Sequence, residues 1–284
     1  MQNKKYMPKK FGFAFWQSQR DRLKELYYDQ GLSTNEIGKI YGCYGETIGA
    51  NMNKLGFKLR KIGDSSRPNA LHNVNTSFFE NINNELTAYV LGYTLTDGHV
   101  TNDGKIMYCA KDKDIIDKVH KAIDSTHPIT TKIISDNKYY SFCVSSKYMC
   151  KTLWNLGFDN HKSLNMKMDE IEKIINKENI RHLLRGMIDG DGYLQCTINL
   201  SGRNKKHTLA ISFTNNADVC SFVDKYLNFN TKWTDEENGF YTIRTANREK
   251  VIQIGHYLYD DATIYIDRKK NKFDEICQTY LKEK

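Results

Sequence analysis

The chain has 284 residues, 39% of them hydrophobic and 27% charged, with a formal net charge of +8. That length accommodates one large domain or a domain with a smaller module, and no apolar run approaches the roughly 18–20 residues of a membrane helix. The opening MQNKKYMPKK has neither a signal-peptide pattern nor the Arg/Ser-rich character of a transit peptide. Seven cysteines without CxxC spacing read as reduced thiols of an intracellular protein rather than a disulfide or zinc framework. The charge is uneven: residues 1–70 carry 13 Lys/Arg against 6 Asp/Glu, and the other residues 29 against 28. A basic front section suits a polyanionic partner.

In chain order, the first organised stretch is LSTNEIGKIYGCYGETIGANMNKLGFKLRK, which resembles a helix-turn-helix. Ser33 and Glu36 have capping-box spacing, Gly42-Cys43 supplies the turn, and Ile37, Ile40, Ile48, Met52 and Leu55 are the expected apolar positions. The helix from Tyr44 to Leu55 would be the recognition helix, with Tyr44, Glu46 or Asn51 near bases. Gly45 and Gly49 inside it depart from that pattern, each costing up to about 1 kcal/mol relative to Ala. The expected module spans residues 1–62. A linker follows over 63–78, containing Arg67-Pro68 with several Asn and Ser and able to track a duplex.

The rest of the chain is a repeat. LTAYVLGYTLTDGHV (86–100) and RHLLRGMIDGDGYL (181–194) are apolar helical runs ending in Asp-Gly and passing directly into a strand. Superposing Asp97 on Asp191 brings Gly92 onto Gly186 and Gly98 onto Gly192. After Asp97 come a hairpin at Asn102-Asp103-Gly104, a helix with Ile115, Val119 and Ile123 on one stripe, a hairpin around Asp136-Asn137, and the helix SKYMCKTLWNLGF. After Asp191 come the strands YLQCTINLS and HTLAISFTN, then a helix with Val219, Phe222, Val223, Tyr226 and Leu227 in register. A hairpin at Asn238-Gly239 and the helix REKVIQIGHYLY complete the copy. Each copy, 79–178 and 179–284, therefore reads helix, two strands, helix, two strands, helix.

VLGYTLTDG (90–98) and LRGMIDGDG (184–192), with this duplicated context, resemble the LAGLIDADG homing endonucleases of the single-chain, two-motif kind. The resemblance covers roughly residues 79 to 280 and takes in GFDNHKS (157–163) and YLYDDATIYIDRKK (257–270). It implies an α+β fold: two pseudo-twofold αββαββα repeats forming a saddle of antiparallel sheets, preceded here by the small all-α module. It also implies that the two motif helices pack together. Small residues at i and i+4, Gly92 with Thr96 and Gly186 with Gly190, give a reason for such close approach.

Close approach would join Asp97 to Asp191, and adjacent carboxylates repel unless cations lie between them. Hard oxygen ligands suit Mg²⁺. Two or three divalent ions at the helix junction are expected, with Ca²⁺ substituting without turnover. The last carbonyls of a helix lack intrahelical partners, so those of Thr96 and Gly190 would be natural additional ligands. A carboxylate is the wrong sign for a helix C-terminus, so two of them argue for function over capping. Asp189 has Leu95 as its counterpart, so the site does not need an acid there in both halves. By family analogy Lys147 and Arg248, each opening the helix after a fourth strand, would stabilise the phosphate. Lys111, set against Asn215, is another candidate.

In the second copy Leu194, Cys196, Ile198 and Leu200 alternate with Tyr193, Gln195, Thr197, Asn199 and Ser201, giving one core face and one polar face. The polar face suits base edges in the major groove, which admits a β-ribbon. Arg203, Lys205 and Lys206 would follow phosphates, and Lys105, Lys132, Lys232 and Arg244 are expected to face outward. The halves differ in side chains, so the target would be a long asymmetric double-stranded DNA cut in a staggered fashion by a monomer. No membrane or protein partner is implied. An RNA-splicing maturase, with intron RNA as partner, and a DNA-binding regulator are the alternatives, and both acids being present counts against them.

Overall fold

The structure is a computed structural model that describes residues 11–60, 72–158, 166–198, 207–229, 234–235 and 239–284. The chain divides into two compact units, Met1–Asn73 and Val74–Lys284.

The first unit is helical: α1 (Phe13–Ser18), α2 (Arg20–Lys24), a π-helical turn over Glu25–Asp29, α3 (Thr34–Tyr41) and α4 (Gly45–Lys54). Its core is Trp16, Leu23, Leu26, Tyr27, Ile37, Cys43, Ile48 and Met52. Ser33 and Glu36 make a reciprocal capping box that starts α3, and Gly42 ends it with φ 72°. Ile40 does not join the core; it is 57% exposed. The short α3 buries only a narrow stripe through Ile37, and Tyr41 rather than Ile40 packs against the core. Gly45 lies against the Asn35 side chain, so its place in α4 follows from contact with α3.

The second unit begins within the expected linker. Val74, Phe78, Phe79 and Ile82 are buried in its core, so the chain is packed from Val74 on; residues 63–71 of that linker lie outside the described residues. The first copy is α5 (Glu85–Thr96), β1 (Gly98–Val100), β2 (Lys105–Ala110), α6 (Lys113–Ala122), β3 (Thr130–Ile134), β4 (Asn137–Ser145) and α7 (Lys147–Asn155). After α8 (Asp169–Ile174) and a 3₁₀ turn, the second copy runs α9 (Ile180–Asp191), β5 (Gly192–Ile198), β6 (His207–Asn216), α10 (Ala217–Leu227), β7 (Thr234–Asp235), β8 (Phe240–Thr245) and α11 (Arg248–Tyr259). The helix α12 (Asp267–Glu283) closes the chain. Each copy forms a four-stranded antiparallel sheet of the same order, β1-β2-β4-β3 and β5-β6-β8-β7. The β3–β4 turn is Ser135-Asp136, one residue earlier than expected, because Ile134 pairs with Asn137 and both turn residues have positive φ.

The two motif helices pack on each other through their glycines. A Cβ on Gly92 would collide with the Leu183 carbonyl oxygen and lie 3.2 Å from the Met187 nitrogen. One on Gly186 would collide with the Tyr89 carbonyl and lie 2.8 Å from the Tyr93 nitrogen. Backbone therefore meets backbone in both directions, as the repeated glycines require. Gly186→Leu forces the helices apart, so it should cost at least the upper end of the usual overpacking range of about 1–3 kcal/mol. A urea or thermal melt unchanged from wild type would remove Gly186 from the helix contact.

Candidate active site

The helix contact carries both acids to one place. Asp97 caps α5 and Asp191 is the last residue of α9. A Cβ on Gly190 would strike the Thr96 hydroxyl and lie 3.4 Å from Asp97 Oδ2, so the end of one motif helix touches the acid of the other. Thr96 turns its hydroxyl back to the Tyr93 carbonyl at 3.1 Å. The Asp191 carboxylate accepts a hydrogen bond from Asn215 Nδ2 at 2.9 Å. The Asn215 amide is oriented by its neighbour Asn216, whose backbone N–H donates to Asn215 Oδ1 at 3.0 Å. Tyr93, buried beside Asp97, has its phenol pushed well above the ordinary value, first by burial and then by the Asp97 charge.

Strand register revises the pairing of the flanking residues. Gly98 lies opposite Tyr108 and Gly192 opposite Phe213, so Asn215 corresponds to Ala110, and Lys111 to Asn216. A shift of one residue exchanges sheet faces. Asn215 accordingly points to the acid, while Lys111 is exposed and donates to Asn137 Oδ1 at 3.1 Å.

Arg248, one of the expected phosphate-stabilising residues, is engaged elsewhere. Arg248 donates to the His207 carbonyl and to Glu283 Oε2, both at 2.8 Å. His207 begins β6, six residues before Phe213, which is about 20 Å of strand from the acids. Arg248 therefore clasps α12 to the outer end of the sheet. The stem of Lys147 packs over Gly104 in the β1–β2 turn. Helix position alone could not reveal the Arg248 clasp, because the partners His207 and Glu283 come from distant parts of the chain.

A lysine that neither motif nor spacing singled out stands at the junction instead. Lys269, 5% exposed, donates to the Ile188 carbonyl at 3.0 Å and to the Gly192 carbonyl, spanning the end of α9. Burial lowers its ammonium below the usual value, and the charges of Asp189, Asp97 and Asp191 oppose that shift. The sequence carried a signal for it: Lys269 shares a helical stripe with Phe273 and Ile276, the other buried residues of α12. Within the run Arg268-Lys269-Lys270 it resembles solvated surface.

Asp189 is buried and accepts from Tyr259 Oη at 2.6 Å, Tyr89 Oη at 2.7 Å and the Ile266 N–H at 2.8 Å. Arg185, also buried, donates to the carbonyls of Leu258 and Ile264, both at 2.9 Å, and pairs with Glu85 across the helix contact.

On the sheets, Tyr193, Thr197, Lys105, Lys132 and Arg244 are exposed, and Gln195 is half-buried with its Oε1 accepting from Arg244 at 2.9 Å. Ile198 was expected in the core but is 53% exposed at the end of β5. Asn199, Ser201, Arg203, Lys205, Lys206 and Lys232 lie outside the described residues. In the first unit Tyr44 and Glu46 are exposed, while Asn51 donates to the Thr47 carbonyl of its own helix at 2.7 Å, which engages the amide expected near bases.

No protein-family model and no curated relative matches the sequence. Among solved structures, the chain is similar to the LAGLIDADG meganuclease I-AabMI bound to uncleaved DNA, at 12% identity over 70% of this chain and 91% of that one, with TM-score 0.47. It is similar to I-SmaMI bound to an uncleaved DNA target in the presence of calcium ions, at 11% identity over 70% and 90%, with TM-score 0.49. It is similar also to the LAGLIDADG homing endonuclease I-LtrWI bound to target DNA, at 14% identity over 70% and 91%, with TM-score 0.48. No helix among the described residues is long and apolar enough to cross a membrane.

His182 provides a test of the buried polar cluster behind the site. Burial, then the Arg185 charge, lowers its imidazole from 6.5 to about 4, with Glu85 opposing. It is neutral in the fold, and its Nδ1 is 2.9 Å from Arg185 Nη1. Between these values the unfolded chain binds a proton that the folded chain does not, so this contribution is complete above pH 6.5 and declines as pH falls toward about 4. Melting temperatures over that window should fall for wild type and fall less for His182→Gln; parallel curves would place the acid sensitivity elsewhere.

Proposed function

We propose that the chain is a site-specific endonuclease of double-stranded DNA that hydrolyses phosphodiesters with divalent metal, Mg²⁺ in the physiological reaction. The observation that carries this reading is the meeting of Asp97 and Asp191 at the ends of two helices whose glycines put backbone against backbone, with the Lys269 ammonium spanning the end of α9. Two like charges held together at a helix C-terminus are unfavourable by themselves.

The residues fit a hard divalent cation. Asp97 and Asp191 supply carboxylate oxygens, the terminal carbonyls of Thr96 and Gly190 are further candidates, and the absent Cβ of Gly190 lets the Thr96 side chain and Asp97 Oδ2 come up against the end of α9. Among the described residues no cluster of three His, Cys, Asp or Glu side chains surrounds the site. That suits Mg²⁺, which binds one or two carboxylates and completes its shell with water and substrate phosphate. When bound, such ions supply Lewis-acid activation of water and of the scissile phosphate. The protein's own contributions are separate. Asn215 orients Asp191 by its hydrogen bond. Lys269 commits two of its three donors to helix-end carbonyls, which aims the ammonium at the same junction where phosphate charge develops.

The outward rows of the two sheets are the candidate base-reading surfaces: Lys105 and Lys132 in the first copy, Tyr193, Gln195, Thr197 and Arg244 in the second. They differ in chemistry, which supports an asymmetric target. The first unit is proposed as an added DNA-binding module, with Tyr44 and Glu46 the exposed candidates for base contact and its lysines and arginines for phosphate contact.

Asp97→Asn and Asp191→Asn should each abolish double-strand cleavage of a plasmid carrying a target selected from a randomised library in Mg²⁺. DNA affinity should change by less than about tenfold, or 1.4 kcal/mol. Near-normal cutting by either variant would rule out the paired-carboxylate site. Residues 74–284 alone should still cut but bind with a shallower dependence on salt, by about 0.9 in slope for each phosphate that the first unit neutralises. An identical slope and footprint would exclude the first unit from DNA contact.

A further inference from the structure

Lys269 has a buried amine, and what keeps it in place is not its own helix alone. It is the third residue of α12, and its backbone N–H donates to the Ile266 carbonyl at 2.9 Å, so the start of that helix fixes where the side chain begins. The start of α12 is in turn tied to α6 by the Asp267 N–H donating to Asp114 Oδ2 at 2.9 Å and by the Arg268–Asp112 and Lys118–Asp267 pairs, and to α9 by the Ile266 N–H donating to Asp189 Oδ2 at 2.8 Å. Asp189 cannot swing away, because Tyr259 of α11 and Tyr89 of α5 hold its oxygens from two other elements. The acid is 1% exposed, so nothing from solvent competes for these bonds.

Asp189 also stands within one turn of the carbonyls that Lys269 reaches. The side chain leaves α12 just after the Ile266 anchor and ends on Ile188 and Gly192, which bracket Asp189 and Asp191 in sequence. Anchor and amine thus close a ring between α9 and α12. The first copy has Leu95 in place of Asp189, and the connection corresponding to 260–266 falls largely on residues 159–165, outside the described residues. The ring belongs to the second copy.

We propose that Asp189, which takes no part in the chemistry itself, is the positioning residue for Lys269: it pins the start of α12 so that the Lys269 ammonium lies over the end of α9 beside Asp97 and Asp191. Its consequences for cleavage rest on the nuclease reading; its consequences for Lys269 do not. The buried negative charge also accompanies the buried ammonium, which is consistent with the two having to be kept together.

The first measurement needs no DNA. Wild-type protein is treated with an amine-acylating reagent under native conditions, and modification of Lys269, Lys270 and Lys272 is followed by peptide mass spectrometry. Lys269 should react slowly in wild type, and about tenfold faster or more in Asp189→Asn, while Lys270 and Lys272 are unchanged. Should Asp189→Asn fail to fold, as judged by its melt, Ile266→Pro replaces it. Ile266 already has φ −78°, within the range of proline, and proline deletes only the N–H that Asp189 accepts, apart from some side-chain packing. Lys269 remaining protected in a folded variant overturns the proposal.

The second measurement is strand-resolved nicking. Asp189→Asn should slow cutting of one strand, the same one slowed by Lys269→Met, and the double variant should be no slower than Lys269→Met alone, since the two act through one amine. Equal slowing of both strands, or effects of the two changes that multiply, would make Asp189 a general stabiliser and overturn the positioning role. If wild type cuts no DNA yet Lys269 is unmasked by Asp189→Asn, the nuclease reading fails and the anchor stands.

Discussion

The structure depends on the direct contact of two helix backbones. An ordinary helix pair is separated by side chains at about 8–10 Å between axes; here Gly92 and Gly186 remove them at the crossing, each facing a carbonyl of the other helix. Leu183, Leu184, Met187 and Ile188 on one side, and Val90, Leu91 and Tyr93 on the other, are fully buried around that crossing, so apolar burial holds together what the glycines permit. The cost is electrostatic, since the same contact gathers Asp97 and Asp191 at one place. On the proposed reading, cations and substrate phosphate at the junction would offset the charge that destabilises it in isolation.

Around this axis the two copies repeat their strand order and diverge in their polar groups. The second copy holds Asp191 with Asn215, where the first has Ala110 at the matching register. It also carries Asp189 and Arg185 where the first has Leu95 and Leu91. These buried groups are satisfied by the end of α11 and its connection to α12, through Leu258, Tyr259, Ile264 and Ile266, together with Tyr89 and Glu85 of α5. A buried ion or carboxylate without partners would be costly, so α12 and the second motif helix are mutually dependent. That dependence explains why a basic run near the end of the chain contributes a lysine to the centre of the molecule.

The opposite end of α12 is tied as well. Glu283 receives His207 and Arg248, and its carboxyl is held down at about 2, first by the His207 hydrogen bond. One helix of 17 residues therefore spans from the acids to the outer edge of the second sheet, about 25 Å at 1.5 Å per residue. Arg248, placed among the phosphate-stabilising residues by its position at a helix start, belongs to this outer clasp.

The duplication, the element order, the facing glycines and the two acids were legible in the sequence because they are local patterns: helical and strand periodicity, a glycine four residues from a small partner, an acid at a helix end. The capping box at Ser33 and Glu36 and the alternation of Tyr193 and Leu194 across the sheet are of the same kind. Which basic residue approaches the acids was a matter for tertiary contacts. Arg248 and Lys269 both look like solvated charges in sequence; the Glu283 clasp holds the first, and burial at the end of α9 claims the second. Tertiary pairing likewise turned Asn215 and not its neighbour toward Asp191, since one residue of register exchanges the two sides of a strand. Distance between charges depends on strand length, register and the path of a connection, and none of these is set by the residues that carry the charge.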